Sequence, residues 1–214
     1  MGAVIALILF VGKSNGRELQ MDEPKLLDRE TIERAFRLMG QYLLDRKALG
    51  EIAIYGGSAI LFQFDWRKAS RDVDARVTSE RSHGLVIDAA ANAATQLGLP
   101  RSWLSENVAM YARRGEGEAD RISLGLYPSP ERFGLRVTAA KPSYILAMKL
   151  KALERVTIDD RDYKDAVSLG IECGVSGVDE LREVFRQFFP DEDLPPTAAF
   201  RLEELTSDIR AKSS

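Results

Sequence analysis

The sequence predicts an α/β (α+β) fold in which helices flank a small mixed sheet and a C-terminal helical part follows the sheet. Three observations indicate this fold. Short apolar segments typical of strands alternate with amphipathic helical segments, two adjacent glycines follow the first strand, and the pattern is helical from Ser143 onward. With 214 residues, 45% of them hydrophobic, the chain is long enough to bury a substantial core.

The predicted elements can be placed along the chain in order. Asp28 caps a helix whose apolar residues recur at helical spacing, and Gly50 ends that segment. Strands are predicted at 51–55, 72–77, 121–127 and 133–138. Further helices are predicted at 58–64, 85–97, 144–154, 160–169 and 178–188, with a last helix after 195–196.

The chain divides into three parts. Residues 1–20 hold an apolar run followed by a polar stretch, and we interpret them as a non-native or disordered N-terminal extension that contributes nothing to the fold. Residues 21–138 form the predicted α/β core, and residues 139–214 form the helical part. We expect these last two parts to pack closely enough to share one site.

The composition excludes several classes of function. The single Cys173 cannot form an internal disulfide, and with one histidine, His83, the chain has no Cys/His cluster for zinc. A single cysteine fits a reducing, cytoplasmic setting, and the apolar run at 3–11 is too short to span a bilayer, so we expect a cytoplasmic protein with no membrane partner. A net charge of -3 indicates that any polyanion would bind a local basic patch.

Two neighbouring segments carry the residues that predict a chemical site. In a strand, residues two apart point to the same face, so Asp72 and Asp74 present both carboxylates on one side. Such a pair suits Mg²⁺, which binds one or two carboxylates and completes its shell with waters and phosphates. The turn at Gly56-Gly57-Ser58 offers backbone N–H groups and a hydroxyl to the phosphates of the same nucleotide.

These two motifs resemble the signature of the nucleotidyltransferase superfamily, in which a Gly-Gly-Ser turn and a short helix precede an Asp-x-Asp strand. In this chain they are the turn at 56–58 and the segment 72–74. The helical segment 144–150, followed by 161–165, is similar to the later motifs of the AbiEii-type branch, which includes toxins of toxin–antitoxin systems. The resemblance spans residues 52–169.

The resemblance implies transfer of a nucleoside monophosphate from a nucleoside triphosphate (NTP) to an acceptor hydroxyl on RNA, including tRNA, or on protein. It also implies a cognate antitoxin as a partner. Carried over by position, Asp72 and Asp74 are the magnesium ligands, and Gly56, Gly57 and Ser58 form the phosphate-binding turn. Lys149 contacts the triphosphate, and Asp165 orients or deprotonates the acceptor.

Two other functions stay open at this stage. Many members of the superfamily place a third metal-binding carboxylate on a later strand, and the segment 135–137 has no acid. Because of this difference, the first alternative function is that of a catalytically degenerate module that senses nucleotide or binds a partner. A small-molecule adenylyltransferase of the aminoglycoside type also shares the core motifs. Such an enzyme needs an acidic pocket for its cationic substrate, and the run at 191–193 is the only dense acidic cluster in the C-terminal part of this chain.

Several of these residues also have a purely structural interpretation. The basic loop at 67–71 either steers a polyanion or forms a solvated surface. Lys149 and Lys151 either contact a ligand or face water, as helical lysines usually do. Asp162 and Asp165, three apart on a helix, are either site residues or surface acids that pair with Arg161 or Lys164.

Overall fold

The computed structural model describes residues 26–110, 112–113, 115–154 and 160–213. It confirms the predicted fold class, a mixed sheet of five strands flanked by helices. The predicted N-terminal extension, residues 1–20, lies outside the described residues. Within the described residues, no helix is long and apolar enough to cross a membrane.

The elements lie close to their predicted positions. The helices are α1 (Arg29–Asp45), α2 (Gly56–Gln63), α3 (His83–Leu97), α4 (Pro142–Ala152), α5 (Arg161–Glu172), α6 (Val178–Phe188) and α7 (Pro196–Ser213). The strands are β1 (Gly50–Ile54), β2 (Val73–Val77), β3 (Leu104–Ser105), β4 (Arg121–Pro128) and β5 (Phe133–Ala140). Strand β3 was not predicted, because two residues are too few to show an alternating pattern.

The sheet has the strand order β3-β2-β1-β5-β4. Strand β1 is antiparallel to β2 and parallel to β5, while β4 is antiparallel to β5. Because directly paired residues share a face, Ile54, Ala75 and Ala139 point to one side of the sheet, where they are fully buried. The opposite face presents polar side chains, including Asp74 and Thr138.

Helix α1 covers the apolar face of the sheet. The Asp28 carboxylate accepts a hydrogen bond of 2.8 Å from the backbone N–H of Thr31, as the predicted cap requires, and this bond lowers the pKa of Asp28. The apolar residues of α1 are buried against α3, β4 and β5, and Phe36 packs edge-on against Tyr127 of β4. The polar face of the sheet is thereby left to form the site.

The helical part shares one hydrophobic core with the sheet. Helix α4 packs on α5 and α6, and α5 packs on α7. Strand β5 continues to Ala140, two residues past the boundary predicted at residue 138, and α4 begins at Pro142. Tyr144 of α4 stacks on Phe188 of α6 at 4.8 Å between ring centroids, which joins the helices behind the site.

Candidate active site

Gly56 and Asp74 meet where β1 passes into α2. The backbone N–H of Tyr55 donates a 2.8 Å hydrogen bond to the carbonyl of Asp74. Gly56 has a φ of 56°, and a Cβ added to it would lie 2.8 Å from the Asp74 Oδ2 atom. The positive φ and the close carboxylate both favour glycine at this position. The turn predicted at 56–57 is in fact the first turn of α2, so its N–H groups lie at a helix N-terminus.

The next two residues of the motif face away from Asp74. A Cβ on Gly57 would lie 2.9 Å from both Arg67 Nη2 and Ser70 Oγ, so the basic loop packs directly on this glycine. Ser58 is buried, and its hydroxyl donates a 2.9 Å hydrogen bond to the carbonyl of Tyr55. In this conformation the Ser58 hydroxyl stabilises the start of α2 and does not reach the cavity described below.

Of the two aspartates of the Asp-x-Asp motif, Asp74 lies on the polar face of β2 and Asp72 lies just outside the strand. Val73, Ala75 and Val77 are buried on the opposite side, while Asp72 and Asp74 are half-buried. Asp72 immediately precedes the strand, and Asp74 is its second residue. The predicted strand began at residue 72, but the observed strand contains only Asp74 of the pair, and only Asp74 lines the cavity.

A cavity of about 210 Å³ lies between the start of α2, strand β2 and helix α4. It brings together residues from distant parts of the chain that the sequence motifs had singled out separately. Its polar side is formed by Gly56, Asp74, Lys149 and Asp162. Its apolar side is formed by Val108, Ile145, Met148 and Ala152, and Asn107 completes the lining. We call this space the active-site cavity.

Lys149 lines this cavity and is mostly shielded from water, so its interpretation as a water-facing helical lysine is wrong. Its side chain is only 13% exposed, and its Nζ lies 2.7 Å from Asp162 Oδ1 and 2.9 Å from Asp165 Oδ2. Burial by itself lowers the pKa of Lys149, but the attraction of Asp165 and Asp162 outweighs it, and the net pKa is raised. Lys149 is therefore a fixed positive charge beside Gly56 and Asp74.

Asp165 is also buried, so it is not a surface acid. It is 3% exposed, and its Oδ1 lies 2.6 Å from Arg67 Nη1 while its Oδ2 contacts Lys149. A chain of ion pairs thus runs from Arg67 through Asp165 and Lys149 to Asp162. Lys151, two residues after Lys149 on α4, pairs with the half-exposed Glu192 and is the more exposed lysine of the two.

The carboxylates at the start of β2 fit Mg²⁺ by their chemistry. Asp72 and Asp74 are hard oxygen ligands, and Asp74 lies beside N–H groups able to hold phosphates. No described residues form a group of three or more histidine, cysteine, aspartate or glutamate side chains suited to a metal ion. At the strand where a third acid is expected, the same sheet face carries Arg136 and Thr138. Water and triphosphate would therefore complete the shell.

A buried carboxylate, Glu116, lies beside the cavity and was not identified from the sequence. Its side chain is fully buried and pairs with Arg121. Tyr55 Oη donates to both of its oxygens at 2.6 and 2.8 Å, and Tyr144 Oη donates at 3.2 Å. Burial and the nearby Glu116 charge raise the pKa of both tyrosines. A single glutamate between two glycines offers no pattern that would predict this cluster.

Comparison with models of protein families, with curated proteins and with solved structures finds no match to this chain. The assignment of the site therefore depends on the motifs and on the geometry around them. That geometry joins Gly56, Asp74 and Lys149 in one cavity. It keeps Asp165 one ion pair away, behind Lys149.

Proposed function

We propose that the chain is a magnesium-dependent nucleotidyltransferase that moves a nucleoside monophosphate from an NTP to an acceptor hydroxyl. The observation that carries this proposal is the active-site cavity. There a helix N-terminus at Gly56, the carboxylate of Asp74 and the ammonium of Lys149 come together from three separate segments. An anion-binding helix end, a ligand for a divalent cation and a buried cation are the groups that a triphosphate requires.

Each side of the cavity has a role in this proposal. The N–H groups at the start of α2 hold the phosphates, and Lys149 contacts them as a point charge. Asp72 and Asp74 would hold Mg²⁺, which neutralises charge that develops on the phosphates during transfer. The apolar side formed by Val108 and Met148, together with Ile145 and Ala152, accommodates the nucleoside.

The transfer is an in-line displacement at the α-phosphorus. The acceptor oxygen forms a bond to that phosphorus while the bond to the oxygen bridging to the β-phosphate breaks, and its electron pair leaves with pyrophosphate. The proton of the acceptor hydroxyl passes to water in the cavity. Asp165, the acid that the resemblance assigns to the acceptor, does not line the cavity, and through its contacts with Arg67 and Lys149 it orients the lysine before the acceptor arrives.

A second candidate function is a module that binds nucleotide without turnover. Two observations favour it: Lys149 is already engaged by two carboxylates, and β5 carries Thr138 and Arg136 where a third acid is expected. The aminoglycoside-type alternative lacks such support. The acidic run at 191–193 is exposed and does not line the active-site cavity, and its Glu192 pairs with Lys151.

A label-transfer assay separates the two candidates. The purified full chain is incubated with Mg²⁺, each of the four α-labelled NTPs, cellular RNA and cellular protein. We expect label on one acceptor class with the wild type, none with Asp74→Asn, and wild-type transfer with Asp88→Asn, which alters an exposed aspartate on α3. Nucleotide binding with no transfer to any acceptor supports the second candidate. Absence of both binding and transfer refutes both.

The resemblance also implies a biological role as the toxin of a toxin–antitoxin pair, and we include it in the proposal. If the transferase acts on an essential tRNA or protein, expression of the wild type arrests growth of the host cell. Asp74→Asn then relieves the arrest at equal protein level. Growth arrest that persists in Asp74→Asn would separate toxicity from nucleotide transfer.

A further inference from the structure

Two residues that directly adjoin the active-site cavity donate hydrogen bonds to the same buried carboxylate. Tyr55 precedes Gly56 of the cavity, and its hydroxyl lies 2.6 and 2.8 Å from the two carboxylate oxygens of Glu116. Tyr144 precedes Ile145 of the cavity, and its hydroxyl lies 3.2 Å from the Glu116 Oε2 atom. One carboxylate therefore joins two different walls of the cavity. We call Glu116 and the two tyrosines the Glu116 clamp.

The two tyrosines belong to the walls that carry the proposed phosphate contacts. Tyr55 is the N-cap of α2, and its backbone N–H donates to the carbonyl of Asp74, so it is tied both to the helix end and to strand β2. Tyr144 lies in the first turn of α4, the helix that carries Lys149 and most of the apolar side. The two rings meet edge-on at 6.3 Å between their centroids. A change in this contact therefore moves the start of α2 relative to Lys149.

Glu116 itself is held in place from outside the cavity. Its side chain is fully buried and pairs with Arg121 at the start of β4. The loop that carries Glu116 is fixed by Asp120, whose carboxylate accepts hydrogen bonds from the guanidinium of Arg113 and from the backbone N–H of Gly117. The sheet thus holds the carboxylate, and the carboxylate holds both tyrosines.

A buried ion pair is a poor means of stabilising a fold, so the Glu116 clamp calls for another explanation. The free energy of removing both charges from water offsets most of their attraction, and well-packed apolar residues often stabilise a protein as much. Hydrogen bonds to a charged acceptor are short and directional, however, so they fix the distance between the groups that they join. Apolar contacts alone would let α2 and α4 slide against each other.

We propose that Glu116 is a positioning residue that holds the start of α2 and helix α4 at the separation that a triphosphate requires. It acts through the two tyrosine hydroxyls, and one triphosphate then reaches both Gly56 and Lys149. This inference rests on the proposed transferase function and adds to it a residue that does not line the cavity. Walls that are ordered in advance bind a spanning ligand more tightly, whereas a ligand that contacts one wall gains little.

The variants Tyr55→Phe and Tyr144→Phe test this inference, because each removes only a hydroxyl and keeps the ring. Calorimetry with Mg²⁺ gives the Kd of the NTP that binds the wild type most tightly, and competition against it gives the Kd of the monophosphate of the same base. In the double variant we expect the NTP to bind about tenfold more weakly, as for the loss of one hydrogen bond to a charged acceptor. The Kd of the monophosphate should change less than about twofold.

The ratio of the two Kd values separates positioning from stability. A loss of folded protein changes both Kd values by the same factor and leaves their ratio unchanged, whereas a displaced wall changes the ratio. If the double variant does not fold, Tyr144→Phe alone, which removes the longest of these bonds, should change the ratio about threefold. An unchanged ratio in the variant that folds would overturn the inference.

The matched control is Tyr163→Phe. It removes a hydrogen bond of the same kind, 3.0 Å long from the Tyr163 hydroxyl to Asp208 Oδ2, but that bond joins α5 to α7 and Tyr163 does not line the cavity. The control should keep the wild-type ratio, and a change equal to that of the clamp variants would overturn the inference.

Nucleotide binding by the wild type keeps the two proposals apart. If NTP binds the wild type and the clamp variants keep the wild-type ratio, the positioning inference fails alone. If no NTP binds the wild type, the transferase proposal fails, and with it the role of Glu116.

Discussion

Replacing Lys149 with methionine should destabilise the fold in a pH-dependent way. The ammonium separates two carboxylates, of which Asp165 is 5% exposed and Asp162 is 25% exposed at the side chain. Removing one partner of a fully buried ion pair costs about 3–5 kcal/mol. Since Arg67 still contacts Asp165 and water reaches Asp162, we expect a loss of about 2–3 kcal/mol at pH 8, between the buried and exposed limits.

The pH dependence follows from the signs of the charges. The pKa of Lys149 is raised above its ordinary value of 10.5, so its ammonium contributes fully below that value and the contribution is lost as the pH rises above it. Lys149→Met removes a contribution that the wild type itself loses in alkali. The loss of stability should therefore be smaller at about pH 11 than at pH 8.

Urea denaturation at both pH values measures this effect, with Lys151→Met as the matched control. Lys151 lies on the same helix but pairs with the half-exposed Glu192, so its replacement should cost less than about 1 kcal/mol at either pH. If the two variants lose equal stability, or if the Lys149→Met loss does not change with pH, Lys149 is not the buried centre of the ion-pair chain.

Three further predictions test other parts of the structure. Gly56→Ala and Gly98→Ala each place alanine at positive φ, and each should lower the free energy of unfolding by about 1–2 kcal/mol. Only Gly56→Ala should weaken Mg²⁺-dependent nucleotide binding in calorimetry, and equal binding by both variants would contradict this. Glu116→Gln should cost about 2–4 kcal/mol in urea denaturation because it leaves Arg121 buried beside a neutral amide, and a loss under 1 kcal/mol would contradict the cluster. Partial burial raises the pKa of Cys173 to about 11 from 9.0. At pH 8 the folded chain should therefore react with a thiol reagent about a hundredfold more slowly than the urea-unfolded chain, and equal rates would contradict the raised pKa.

Most of the fold could be predicted because its elements have strong periodic patterns. Helix α6 has the bounds that its spacing of apolar residues predicts, and α1 begins at its predicted cap. The start of α2 was placed two residues late, because two glycines indicate a turn more strongly than a helix. Strand β3 was missed, since pairing with β2 and not local sequence defines it.

The candidate site could be predicted only in part. The predicted alternation applies to Asp74, which lies on the polar face of β2, whereas Asp72 precedes the strand. The burial of Lys149 was left open, although α4 is apolar on nearly all sides, which is typical of a buried helix. The roles of Arg67 and Glu116 depend on contacts with residues 98 and 61 positions away, and no local pattern predicts such contacts.

The most direct test of the central claim is calorimetric titration of each NTP, with and without Mg²⁺, into the wild type and an Asp72→Ala/Asp74→Ala variant. The account predicts Mg²⁺-dependent binding of at least one NTP to the wild type and loss of that binding in the variant, because Asp74 lines the cavity with Gly56 and Lys149. Unchanged binding in the variant, or no binding of any NTP to the wild type, would contradict it.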